Sequence, residues 1–221
     1  MQQIILILLF SLSSCSGKQA ETAMTQKVEV QSPISTPKQT EGLSKAYFAS
    51  GCFWCVEAVF ESVEGVGEVI SGYAGGSAND ANYRAVSAGS TDHAEAVEVY
   101  YDAEKISYNT LLKVFFGSQD PTTLNRQGPD AGTQYRSTIF YQNEEELKAA
   151  KDYIAKLTAE KVYSKPITTT LEPLEKFYAA EDYHQDYEAL NPNQPYVKGV
   201  SVPRLKKFQA KYPELLKKNA H

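Results

Sequence analysis

The sequence predicts an α/β sandwich built on a mixed β-sheet. Three observations carry that expectation. Stretches with an alternating apolar period and stretches with a helical period are interspersed through residues 45–221. Their order has no strict strand–helix–strand rhythm, which favours a mixed sheet over a purely parallel one. Hydrophobic residues make up 42% of the 221-residue chain, enough for the core of about one domain. The formal net charge of −5, with no basic run before the C-terminal end, argues against a dedicated nucleic-acid binder.

The first 15 residues read as a segment apart from the fold. "IILILLF" is apolar but too short to span a bilayer. It is followed by "SLSSC", so residues 1–15 look like a bacterial lipoprotein signal cut before Cys15, which then carries lipid. The n-region "MQQ" departs from that pattern in having no Lys or Arg. The alternative is a buried N-terminal helix with an incidental cysteine. Residues 16–44 are rich in Ser, Thr, Gln, Pro and Lys. Such a stretch buries too little apolar surface to offset its ordering entropy, and it reads as a disordered tether. The expected address is the periplasmic side of a bacterial cell envelope, an oxidising place, with the lipid as the only membrane contact. If the signal is not used, the address is cytoplasmic.

The domain begins near Lys45. "AYFAS" is a short buried strand closed by Gly51. Val56, Val59, Phe60 and Val63 then follow a helical spacing. "VISGYAGG" is a second strand ending in a glycine turn, "NYRAVSAG" a short helix or loop, and "HAEAVEVYYD" an alternating strand. Ser107 is placed to cap a helix that packs Leu111, Val114 and Phe115. "QDPTTLNRQGPDAGTQ" is a long loop, a feature often tied to function. "YRSTIFYQ" is a strand. Asn143 before three glutamates marks a helix start, and that helix should bury Leu147, Ala150, Ile154 and Leu157. "ITTTLEPL" is a further strand, and "AAEDYHQDYEAL" one or two helical turns. Fifteen tyrosines leave room for a pocket lined by phenols.

"GCFWCVE", residues 51–57, holds two of the three cysteines. On a strand, positions three apart lie about 10 Å from one another, too far for a disulfide. On a first helical turn they are about 5–6 Å apart, within bridging range. A helix N-terminus also favours a thiolate, here at Cys52. The pattern suggests an activated nucleophile, Cys52, with a resolving thiol, Cys55. Spacing alone leaves three other readings open. A zinc site lacks a second ligand pair, since only His93, His184 and His221 accompany the cysteines. Two buried core thiols and a thioredoxin-like redox motif also fit.

Glu95 shares strand parity with Val97, Val99 and Tyr101. If that is the core face, Glu95 points inward. A buried carboxyl keeps its proton to higher pH and serves as a general acid. Were Ala94 and Ala96 the core face, Glu95 would be solvated; Glu98 and Tyr100 on that side count against this.

The stretches "GCFWCVE", "GYAGG", "NYRAV", "HAEAVEVYYD", "FFGSQDPTTLNRQGPDAGTQYRS" and "EDYHQDY" together resemble the A-type peptide methionine sulfoxide reductases. The resemblance runs from residue 46 to 190, and more loosely to 216. It implies a ferredoxin-like, two-layer α/β (α+β) sandwich. It implies thiol-dependent reduction of methionine-S-sulfoxide, free or in oxidised proteins, so that damaged proteins are repaired. It implies no bound cofactor or metal, an external thioredoxin-like reductant, and a monomer.

By that resemblance Cys52 matches the nucleophile and Glu95 the acid that protonates the sulfoxide oxygen. Phe53 and Trp54 match the apolar pocket for the S-methyl group. Tyr83 and Tyr135 match hydroxyls on the oxygen, and Asp130 and Tyr187 match polar groups lining the pocket. His184 is expected to make a structural hydrogen bond; His93 is assigned nothing. Some family members keep a resolving cysteine in the C-terminal tail, where this chain has "NPNQPYVKGV" with Val197. Cys55 is then the only nearby thiol. Two rival functions remain at this point: a lipid-tethered disulfide oxidoreductase, and an envelope module that binds Met-containing segments without turnover.

Overall fold

Residues 40–218 are described by the structure, a computed structural model. The expected signal segment, its Cys15 and the tether up to residue 39 lie outside the described residues. The chain order starts with β1 (Ser44–Ser50), α1 (Phe53–Glu61) and β2 (Val66–Ala74). Gly51, between the first two, has φ +86°, and a Cβ there would lie 2.6 Å from Gln127 Cβ. Only glycine makes this turn without strain. Next come α2 (Tyr83–Ser87), β3 (Ala94–Tyr101) and α3 (Tyr108–Gly117). Asn82 and Ser107 cap the two helices by accepting the N–H groups of Ala85 and Thr110.

The long loop after α3 is not featureless. It folds into a two-stranded hairpin, β4 (Arg126–Gln127) with β5 (Asp130–Ala131), and a 3₁₀ turn at Thr133–Tyr135. Then follow β6 (Ser137–Tyr141), α4 (Glu144–Ala159), β7 (Thr170–Pro173) and β8 (Phe177–Ala179). Asn143 caps α4 as expected, accepting the Glu146 N–H. In α4, Ala150 and Leu157 are buried while Leu147 and Ile154 are half-buried, because the helix lies over the sheet with much of its surface in solvent. A 3₁₀ turn (Asp182–His184), α5 (Tyr187–Leu190), a π-helical turn (Val197–Ser201), α6 (Val202–Lys211) and a 3₁₀ turn (Pro213–Leu215) follow. Among the described residues, no helix is long and apolar enough to cross a membrane.

The main sheet runs β7-β6-β1-β3-β2-β8. Its β6–β7 pair is parallel and its other pairs are antiparallel, so the sheet is mixed. Helical residues Val56, Phe60, Leu112, Phe115 and Phe208 join Phe48, Tyr73, Val97, Val99 and Ile139 in one core on one face. On the other face Tyr47, Ala49, Ala74, Ala94, Ala96 and Phe140 pack under Leu174 and Phe177. The expected two-layer α/β sandwich is the architecture found, with the helices on one side. β3 lies in the middle of the sheet and is covered on both faces, so its alanines and its Val-bearing face are both buried.

Candidate active site

The two thiols meet at the start of α1. Cys52 is the residue before the first helical turn, and its carbonyl accepts the N–H groups of Cys55 at 3.1 Å and Val56 at 3.3 Å. Both thiols are free and buried, and they hydrogen-bond to one another. The helix N-terminus is expected to favour a thiolate at Cys52, yet its first N–H is spent on another partner. The Phe53 N–H, the first of the helix, donates to Glu95 Oε2 at 3.1 Å. Burial, followed by the hydrogen bond and charge of Cys55, pushes the Cys52 thiol well above its usual range. The two thiols therefore titrate as one hydrogen-bonded pair, with Cys55 the more acidic side. The hydrogen bond from Cys52 brings it down to about 7 against burial, helped by the Arg204 charge and the Ser201 and Tyr196 hydroxyls.

Glu95 does point inward. It sits on β3 opposite Tyr73 of β2 and is 2% exposed. Burial raises its carboxyl to about 8. The Phe53 N–H opposes that rise, and the charges of Asp130 and Cys55 add to it. At neutral pH the carboxyl keeps its proton.

Aromatic rings wall the space beside this acid. Phe53 is fully buried, its ring 6.5 Å from that of Tyr83 and 5.0 Å from that of His184. Trp54 is half-buried and stacks on Tyr187 with centroids 3.8 Å apart and planes 9° apart. Its indole N–H donates to His184 Nδ1 at 3.1 Å. This is the structural hydrogen bond expected of His184, and it makes Nδ1 the acceptor of a neutral ring. Burial lowers the pKa of that ring, consistent with neutrality. The phenols of Tyr83 and Tyr135 are both raised by burial and then by Glu95, and each also feels Cys52. Asp130 on β5 is also raised by burial, and it accepts the Tyr196 hydroxyl at 2.5 Å. The structure thus gathers Cys52, Cys55, Phe53, Trp54, Glu95, Tyr83, Tyr135, Asp130 and Tyr187 into one region.

Three further residues of the region escaped the sequence reading: Tyr196, Ser201 and Arg204. Arg204 donates Nε–H to the Ser118 carbonyl at 2.8 Å, Nη1–H to the Ser50 carbonyl at 2.9 Å and Nη2–H to Ser50 Oγ at 3.0 Å. A single arginine in a lysine-rich amphipathic helix bears no mark that would have singled it out. Tyr196, flanked by Pro195 in "NQPYVKG", carried a weak one. His93 is buried elsewhere, with Nε2 2.9 Å from the Ser77 carbonyl.

The carboxylates of Glu57, Glu61 and Asp186 approach within 4.8 Å of one another. Glu57 already accepts the Asp186 N–H at 3.0 Å and the Ser71 hydroxyl at 3.0 Å. The first bond fastens the 182–190 segment to α1, and the second ties α1 to β2.

A thiol pair that loses its first proton near neutral pH, a carboxyl that keeps its proton and an aromatic wall can deliver a sulfur nucleophile and a proton to one bound group. That is the equipment of a cysteine-based oxidoreductase. The family model described as peptide methionine sulfoxide reductase matches residues 44–216. Peptide methionine sulfoxide reductase MsrA 1 of Rhodopirellula baltica is 50% identical over 186 residues, covering 84% of this chain and 96% of that one. MsrA of Deinococcus radiodurans is 44% identical over 201 residues, covering 91% and 96%. Among solved structures, reduced Mxr1 of Saccharomyces cerevisiae matches with a TM-score of 0.65 at 34% identity, over 69% of this chain and 87% of that one. Methionine sulfoxide reductase A of Corynebacterium diphtheriae matches with 0.62 at 34% identity, over 71% and 78%. The chain belongs to the peptide methionine sulfoxide reductase family, on the MsrA side, and is an oxidoreductase that reduces methionine sulfoxide.

Proposed function

We propose that the enzyme reduces the S epimer of methionine sulfoxide, free or within oxidised proteins, by way of a Cys52 sulfenic acid and a Cys52–Cys55 disulfide. The observation that carries this reading is the hydrogen-bonded thiol pair beside the buried, protonated Glu95. A sulfoxide sulfur is a poor electrophile until its oxygen gains a proton. Glu95 supplies that proton, and the Tyr83 and Tyr135 hydroxyls hold the oxygen. Phe53 and Trp54 receive the S-methyl group, with Asp130 and Tyr187 at the edge of the pocket. Cys52 passes its own proton to the Cys55 thiolate through their hydrogen bond and attacks sulfur. Collapse releases methionine and leaves Cys52 as a sulfenic acid. Cys55 attacks that sulfur, water departs, and the disulfide forms. A thioredoxin-like protein restores both thiols. The reading extends to a monomer that repairs oxidised proteins in the bacterial envelope, tethered by lipid on Cys15.

The test is turnover of resolved methionine sulfoxide epimers with dithiothreitol, run beside insulin reduction. Consumption of the S epimer alone is expected. Equal consumption of both epimers, or insulin reduction without sulfoxide reduction, overturns the reading. The mass of the mature N-terminus tests the anchor.

A further inference from the structure

The thiol pair has two approaches. The aromatic wall stands on the Cys52 side. On the Cys55 side lies a cavity of about 370 Å³, lined among others by Cys55, Gly128, Asp130, Tyr196, Arg204 and Lys207. Cys52, Glu95 and Trp54 do not line it. We infer that this cavity is the docking site of a low-molecular-weight thiol bearing a carboxylate, a second reductant beside the thioredoxin-like protein, which reduces the Cys52–Cys55 disulfide by attacking Cys55. This rests on the disulfide reading above.

The volume lies at the lower end of pockets that hold small ligands, roughly 300–1,000 Å³. Gly128 and Gly199 in its lining face open space, where an added Cβ would meet nothing within 4 Å. Two acids also line it: Asp130 accepts from Tyr196 and lies near Arg204, and Asp120 accepts from Thr122. Its cations have capacity left. Arg204 places three N–H bonds on Ser50 and Ser118, and a guanidinium has five. Lys207, three residues on and so on the same helical face, is exposed. An anionic group on the ligand therefore meets unsatisfied donors beside the one thiol the cavity reaches.

The chemistry balances. The ligand thiolate attacks Cys55 Sγ; the Cys52–Cys55 bond breaks and its electron pair goes to Cys52, which takes a proton. A second ligand thiolate attacks the ligand sulfur of the mixed disulfide, a ligand disulfide leaves, and Cys55 is a thiolate again. Two ligand thiols are oxidised and one protein disulfide is reduced.

The test uses protein oxidised by one turnover, with its disulfide verified by intact mass. Thiol recovery is followed with 3-mercaptopropionate, 2-mercaptoethanol and cysteamine, each corrected to thiolate concentration. The carboxylated thiol should react about tenfold faster than cysteamine, and Lys207→Glu should erase most of that preference while Lys206→Glu keeps it. Equal rates for the three thiolates overturn the proposal. A second arm does not depend on sulfoxide chemistry. Cys52→Ser is incubated with the symmetrical disulfide of 3-mercaptopropionate, and peptide mapping should place the adduct on Cys55. A folded Cys52→Ser that gains no adduct also overturns it. A wild type that turns over without any disulfide fails the earlier reading, and the Cys55 adduct still decides whether the cavity binds the thiol.

Discussion

Glu95 and the cysteine pair titrate in one buried space, and their order of ionisation sets the chemistry. The pair should release its first proton near 7, while Glu95 keeps its own to about 8. Single-turnover methionine release is therefore expected to rise as pH passes 7 and fall above about 8, a bell. Glu95→Gln should slow release by about 10²–10⁴-fold and abolish the alkaline fall. A loss under about threefold would place the proton source elsewhere. The same carboxyl bears on stability. Its folded pKa of about 8 lies above the ordinary 4.5. Between those values the folded chain holds a proton the unfolded chain has lost. The stability from that proton is complete below 4.5 and is lost as pH rises to about 8. Urea midpoints should accordingly shift in favour of Glu95→Gln, relative to wild type, as pH rises through that window. Cys55 is examined by Cys55→Ser. It should release one equivalent of methionine and then stall, with the acid limb of the rate profile moved to higher pH because the acceptor of the Cys52 proton is gone. An unmoved limb would show that Cys55 takes no part before the sulfenic acid forms.

Elements with strong local signals were legible, and those held by tertiary pairing were not. Ser107 and Asn143 announce their helices because a cap is a local hydrogen bond. Glu95 was legible because parity is a local property of a strand. β8 is three residues long and exists through its pairing with β2, so no period of its own could reveal it. α6 buries Leu205 and Phe208 among lysines, too thin an apolar stripe to stand out. The use made of the Phe53 N–H was not legible, because it goes to a carboxyl 42 residues away in sequence. The β2–β8 pairing offers a test at this scale. A Cβ on Gly72 would lie 2.3 Å from Phe177 Cζ and 2.4 Å from the Tyr178 carbonyl oxygen, which is backbone. Gly72→Ala should cost about 1–3 kcal/mol. It should also raise KM, because the segment bearing His184 and Tyr187 follows β8. Asn143→Ala, on α4, should cost about 1 kcal/mol and leave KM alone. If both variants leave KM alone, β8 does not position the aromatic wall.

Across the whole molecule, the site is assembled from distant parts of the chain, and Arg204 ties three of them together. It joins the end of β1 at Ser50, the end of α3 at Ser118 and α6 itself, on which it sits. Its charge also helps hold Cys55 down. Hydrogen bonds from a charged donor contribute about 1.5–3 kcal/mol each, and the carbonyls they leave behind are only partly reachable by water. Arg204→Gln should therefore lower stability by at least about 2 kcal/mol. It should also move the alkylation midpoint of the thiol pair upward from about 7, measured as the iodoacetamide rate against pH. Arg204→Lys separates the two effects. An ammonium keeps the charge but lacks the fork that spans Ser50 and Ser118. It should restore much of the titration while recovering little of the stability. Were Arg204→Gln to fold normally with the alkylation midpoint unmoved, the anion of the pair would owe nothing to α6, and the hydrogen bond from Cys52 alone would account for it.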